Sequence, residues 1–233
     1  MENKNYLVVG GSYGIGSGIV KILAAQNANV YVASRTNDSI PSLPNVHHQT
    51  IDILEEEIHL DLPDTLHGVV YCPGSANFKP FRSAKPNHFR EAIEINLIGA
   101  VKILQLTQKI LSKTKNVSVL LFSTVAVGQG MPYHATVASA KGAVEGLVKT
   151  LAAEWAPKVR VNCIAPSLTD TPLVGRLLAT EEKREASGKR HPLQRVGTID
   201  DMAETDCFLL SEKSGWITGQ VIGVDGGMSN LRI

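Results

Sequence analysis

The sequence predicts a doubly wound α/β fold, a single parallel sheet of about seven strands with helices on both faces. Three observations predict it. Its Val/Ile/Leu-rich runs are continuous rather than alternating, as strands buried on both faces require. They alternate with segments of helical apolar spacing. A glycine cluster separates the first run from the first helical segment.

In chain order, Tyr6 to Val9 is the first strand, and Ile15, Ile19, Ile22 and Leu23 recur at the spacing of one helix face. Ala28 to Ala33 is a second strand, His48 to Ile51 a weak third and Gly68 to Tyr71 a fourth. A helix from Phe89 to Leu111, a strand from Val117 to Phe122, a helix from Ala138 to Trp155 and a strand from Val159 to Ile164 follow, and Gln220 to Val224 closes the set. Two crossovers are short. Pro41 and Pro44 leave little room for a helix before the third strand, and only a turn or two fits around Glu55 to Ile58, so one face should be thin there.

The 233 residues fit one domain spanning residues 1–233, and 43% hydrophobic with 19% charged residues is the profile of a compact chain. Lys plus Arg total 23 against 22 Asp plus Glu, so no basic field exists to hold nucleic acid or an anionic membrane surface. A small-molecule substrate is the expected partner. Cys72, Cys163 and Cys207 are far apart and odd in number, which predicts reduced thiols and a cytoplasmic location. No metal is expected: the seven histidines, His47 and His48 included, stand in no zinc-ligand spacing. No run is long enough to cross a bilayer, and the apolar run at the N-terminus is too short for a secretory signal.

Gly10, Gly14 and Gly16, with Ser12, Tyr13 and Ile15 between them, sit where the first strand ends and the first helix opens. That context makes the cluster a Rossmann dinucleotide fingerprint: glycines let the backbone approach a pyrophosphate, whose charge meets the free N–H groups and positive dipole end of the helix. About twenty residues on, an NAD site wants Asp or Glu for the ribose hydroxyls. This chain has Ser34 and Arg35. A guanidinium pairs bidentately with a 2′-phosphate, so the predicted cofactor is NADPH (NADP+).

With Gly-x3-Gly-x-Gly as its fingerprint, the chain resembles the short-chain dehydrogenase/reductases over nearly its whole length. Asp52-Ile53 resembles the pair that flanks the adenine, and the fourth-strand motif reads Tyr71-Cys72-Pro73-Gly74, placing Cys72 and Gly74 at the cofactor. Asn96, in Asn-Leu-Ile-Gly99, is similar to the helix-borne Asn of the family, and Thr124 aligns with its active-site Ser. Lys141 matches the lysine that binds the nicotinamide ribose and lowers the pKa of a catalytic Tyr. Pro166, Leu168, Thr169 and Thr171 belong to a segment resembling the one that closes over the nicotinamide carboxamide. His191 to Gly197 and Ile217 to Gly227 are close to the ketoacyl-carrier-protein-reductase-like members. The resemblance also implies a substrate lid at about 171–195, where Leu173, Val174, Leu177 and Leu178 could line an apolar pocket, and a homodimer or homotetramer built on the long helices and the C-terminal strand.

One departure is serious. Four residues before Lys141, where the family's Tyr should stand, is Val137. A placed general acid contributes about 10² to 10⁴-fold in rate, and valine has no proton to give. Tyr133 and His134 lie on the same face as Val137 if the helix already begins there, and either is then a substitute donor. The implied activity is NADPH-dependent reduction of a carbonyl or activated alkene on an apolar or acyl-type substrate. The alternative is a catalytically silent NADPH-binding sensor or partner subunit.

Overall fold

The computed structural model describes residues 1–232. Seven strands, β1 (Asn5–Val9), β2 (Asn29–Ser34), β3 (Val46–Thr50), β4 (Gly68–Tyr71), β5 (Val117–Phe122), β6 (Val159–Pro166) and β7 (Val221–Val224), form one sheet in the order β3-β2-β1-β4-β5-β6-β7. Every ladder is parallel. The helices are α1 (Gly14–Ala25), α2 (Pro86–Ile93), α3 (Gly99–Leu111), α4 (Ala126–Gln129), α5 (Ala135–Trp155), α6 (Glu181–Gly188) and α7 (Ile199–Leu210). β1 is flanked by β2 and β4, so the winding direction reverses beside it and a crevice opens past the C-terminal ends of β1 and β4.

Side chains alternate across a strand, and the core divides accordingly. Leu7 and Val9 of β1 join Val69, Val119, Leu121 and Val161 under α3 and α5. Tyr6 and Val8 join Val32, Val70, Leu120 and Ile164 under α1 and α7. Each fully buried Leu or Ile in these layers stabilises the fold by about 1.5–3 kcal/mol relative to exposure.

Several element boundaries move by one to three residues from their predicted positions. β3 begins at Val46, and α5 begins at Ala135 with His134 as its N-cap. The helix predicted from Phe89 starts at Pro86 and is interrupted by a π turn, Glu94–Ile98, between α2 and α3. α7 is an element the apolar pattern left unmarked. Its signal was a capping box: the Thr198 hydroxyl accepts from the Asp201 N–H and the Asp201 carboxylate accepts from the Thr198 N–H, with Arg195 paired to the same carboxylate at 2.5 and 2.7 Å.

The thin face is present as expected. No helix forms in residues 35–45 or 51–67. Ile58, Leu60 and Leu62 of the second segment pack on the α3/α5 core in place of a helix. The Gln49 amide of β3 holds that segment, donating to the Asp61 carbonyl at 2.7 Å and accepting from the Asp61 N–H at 2.6 Å.

Asp206 of α7 is fully buried, and neither carboxylate oxygen has a hydrogen-bond partner among the described residues. Burial alone pushes its pKa well above the ordinary carboxylate value. The unfolded chain ionises this group near pH 4 and the folded chain does not, so its cost to stability is small below that pH and grows as pH rises. Asp206→Val should therefore stabilise the fold by about 1–3 kcal/mol at neutral pH. Urea melts should give a smaller gain at about pH 4 than at about pH 8.

Candidate active site

The crevice beside β1 has a volume of about 640 Å³. Its floor is the glycine turn. Gly10 and Gly14 have φ of 76° and 53°, and a Cβ on Gly16 would run into the Gly10 carbonyl oxygen. α1 begins there with no side-chain cap and no acidic residue in its first turn, leaving amide N–H groups free to meet an anion. Ser12, Tyr13 and Ile15 complete the floor, Ser34, Arg35, Asp52 and Ile53 line one side, and Cys72, Gly74 and Thr171 line the other. Among the described residues no group of three or more His, Cys, Asp or Glu could hold a metal ion.

At the β2 end, the Tyr13 hydroxyl lies 2.7 Å from Thr36 Oγ1 and donates to Asp38 at 2.5 Å. This hydrogen bond holds the exposed Asp38 carboxyl below its ordinary pKa. Asp38, an acid just past Arg35, is thus tied to the glycine turn. Ser34 donates to the Thr36 carbonyl, and Asp52 accepts from the Leu54 N–H to close a turn.

The far wall includes the residues that follow β4 and the π turn, with Lys141 of α5 behind Gly74. The extra residue of a π turn releases a carbonyl from the helical ladder, and the Ile95 carbonyl accepts from the Tyr71 hydroxyl at 2.6 Å. Asn96, in the same turn, is buried. Its Nδ2 donates to the Ala92 carbonyl and to Ser75 Oγ, while its Oδ1 has no partner among the described residues. Lys141 is buried one helical turn past Val137, and burial lowers its pKa to about 8. Gly74 leaves room for both groups: a Cβ there would lie 3.3 Å from Asn96 Oδ1 and 3.6 Å from Lys141 Nζ.

Other expected residues are arranged differently. Tyr133 has φ of 69° and is 58% exposed, so it sits in the turn before α5 and does not share a helix face with Val137. His134 stacks on Phe78 with centroids 4.6 Å apart, and its Nδ1 lies 2.7 Å from the Pro132 carbonyl oxygen. Thr124 Oγ1 accepts from the Ala126 N–H, while the neighbouring Ser123 is buried and donates to Glu145 at 2.5 Å. Pro166 ends β6, and Leu168 and Thr169 face a separate cavity of about 120 Å³ shared with His191. In the lid segment, Pro172–Leu178 is a 3₁₀ run; Leu173 lines the crevice, Leu177 is exposed and Leu178 enters the core.

Sequence reasoning did not single out Ser75, although it follows Gly74 directly. Nor was Ser167 singled out, whose Oγ lies 2.8 Å from Nε2 of the buried His191.

This sheet order, with a glycine turn at the crevice, defines a Rossmann-type dinucleotide-binding protein. Within that class the chain belongs to the short-chain dehydrogenase/reductase family of oxidoreductases: the family model described as Enoyl-(Acyl carrier protein) reductase matches residues 9–229. A tropinone reductase homolog of Arabidopsis thaliana is 32% identical over 98% of this chain and 94% of its own length. The 3-oxoacyl-[acyl-carrier-protein] reductase of Thermotoga maritima is 29% identical, covering 98% of each chain. Among solved structures, ElxO with NADP bound superposes with a TM-score of 0.84 at 25% identity, over 98% of this chain and all of that one.

The wall packing yields a structural prediction. Gly99 faces the Tyr71 hydroxyl, and a Cβ there would collide with it. Gly99→Val should break the Tyr71 to Ile95 hydrogen bond and lower stability by about 2 kcal/mol or more through overpacking, read as a fall in melting temperature.

Proposed function

We propose that this protein is an NADPH-dependent reductase acting on a carbonyl or activated alkene of an apolar or acyl-type substrate. The observation that carries the reading is the crevice floor: an uncapped helix N-terminus behind a glycine turn with no room for a side chain at Gly16. That cradle fits a dinucleotide diphosphate. Arg35 would pair with the 2′-phosphate, Asp52 and Ile53 would flank the adenine, and Cys72, Gly74 and Thr171 would border the nicotinamide half. NADPH, when bound, supplies the hydride. The family description and the 3-oxoacyl reductase relative support an acyl-type substrate, and the NADP-bound relative supports the phosphorylated coenzyme. Leu173, beside Pro172 at the crevice mouth, offers the substrate an apolar contact.

Val137 favours a second reading, an NADPH-binding protein without turnover that serves as a sensor or partner subunit. The two differ in one measurement. Stopped-flow loss of NADPH absorbance with a panel of ketones and enoyl thioesters should reveal consumption by at least one class. Binding of NADPH with no consumption by any would favour the silent reading.

The cofactor assignment has its own test. Removing a charged bidentate donor costs about 1.5–3 kcal/mol, so Arg35→Ala should weaken NADPH binding about 10- to 100-fold. Titration calorimetry with NADH, which lacks the 2′-phosphate, should change by less than about 3-fold.

A further inference from the structure

Reducing a carbonyl leaves its oxygen in need of a proton, and the wall of this crevice offers few sources. Val137 has none. Tyr133 is turned to solvent, His134 is stacked on Phe78 with its Nδ1 at a backbone carbonyl, and the Ser123 proton is committed to Glu145. Just behind Gly74, which lines the crevice, lie Asn96 Oδ1, without a hydrogen-bond partner among the described residues, and Lys141 Nζ. Ser75 and the Ala92 carbonyl fix the Asn96 amide through its Nδ2, so its Oδ1 is held beside the Gly74 backbone.

Resting on the reductase reading above, we propose that Lys141 is itself the proton donor, its ammonium protonating the substrate oxygen directly. In the balanced step, the carbonyl π pair becomes the new O–H bond to the Nζ proton. The carbon receives the hydride supplied by the coenzyme, and the lysine is left as a neutral amine that regains a proton from water. The carbonyl is reduced to an alcohol as the coenzyme is oxidised.

The surroundings suit this role. The ionisable groups facing Lys141 are Cys72 at the end of β4 and Cys163 of β6, both held as neutral thiols by burial. Asp206 of α7, near both thiols, is held neutral in the same way, and Glu145, one turn further along α5, is engaged by Ser123. Among the described residues no ion pair fixes the ammonium charge, and burial lowers its pKa to about 8, near the working range of a general acid.

The test uses the full chain and two readouts. In the first, trace acetic anhydride labels amines in proportion to their neutral fraction, and peptide mass spectrometry follows Lys141 against the exposed Lys149 across pH. Lys141 should titrate near 8, and NADP+ should slow its labelling. In the second, phenanthrenequinone and acetoacetyl-CoA serve as carbonyl probes. Turnover should fall as pH rises through Lys141's titration. Lys141→Arg keeps the charge but releases no proton, so at saturating NADPH it should lose about 100-fold in kcat and lose that pH break. Lys141→Met, which suits a buried position, should lose turnover to the same extent while melting no lower than the wild type. Lys141 labelling like Lys149, or Lys141→Arg turning over at the wild-type rate with the same pH break, would overturn the proposal. So would a wild type that binds NADPH but reduces neither probe, which leaves the cofactor reading intact. Failure to bind NADPH at all would overturn both.

Discussion

A parallel sheet must hide both faces and present the C-terminal ends of all its strands along one edge, and the rest of this molecule depends on how that edge is used. Where the winding reverses beside β1, the two flanking crossovers run to opposite faces and no helix covers the gap. The glycine turn fills the floor of that gap with backbone alone. Since the amides there belong to the first turn of α1, the packing of Ile19, Val20 and Leu23 against the sheet also fixes the direction in which those N–H groups point.

The opposite wall is irregular. An unbroken α-helix from Pro86 to Leu111 would keep the Ile95 carbonyl in its own ladder. The π turn instead turns that carbonyl to Tyr71, and the Asn96 amide oxygen has no partner among the described residues. Lys141 adds a buried ammonium without a counter-charge among the described residues, an arrangement that opposes stability. Such local departures from good packing are expected where a protein keeps a working site rather than an optimal core.

Much of this was legible in the residues. Continuous apolar runs marked six strands to within a few positions, the polar β3 was marked only weakly, and the prolines at 41 and 44 correctly barred a helix from the second crossover. The glycine turn and Arg35 were readable because their spacing is tied to backbone geometry. What could not be read depended on contacts distant in the chain. Whether Tyr133 and His134 shared a face with Val137 turned on where α5 starts, and the left-handed Tyr133 put that start at Ala135. The π turn that carries Asn96 is announced by no local periodicity, and α7 escaped because its capping residues carried the signal while its apolar spacing did not.

The thin flank has a further consequence. β3 is an outer strand with one row of main-chain groups free for another chain to join, the usual route to edge-to-edge aggregation. Its sequence, Val-His-His-Gln-Thr, carries polar side chains at four of five positions. By clasping the backbone of Asp61, Gln49 also draws neighbouring loop against this border. A polar, partly screened rim discourages stray strand addition, so the flank that lacks helical cover is also guarded against sticking.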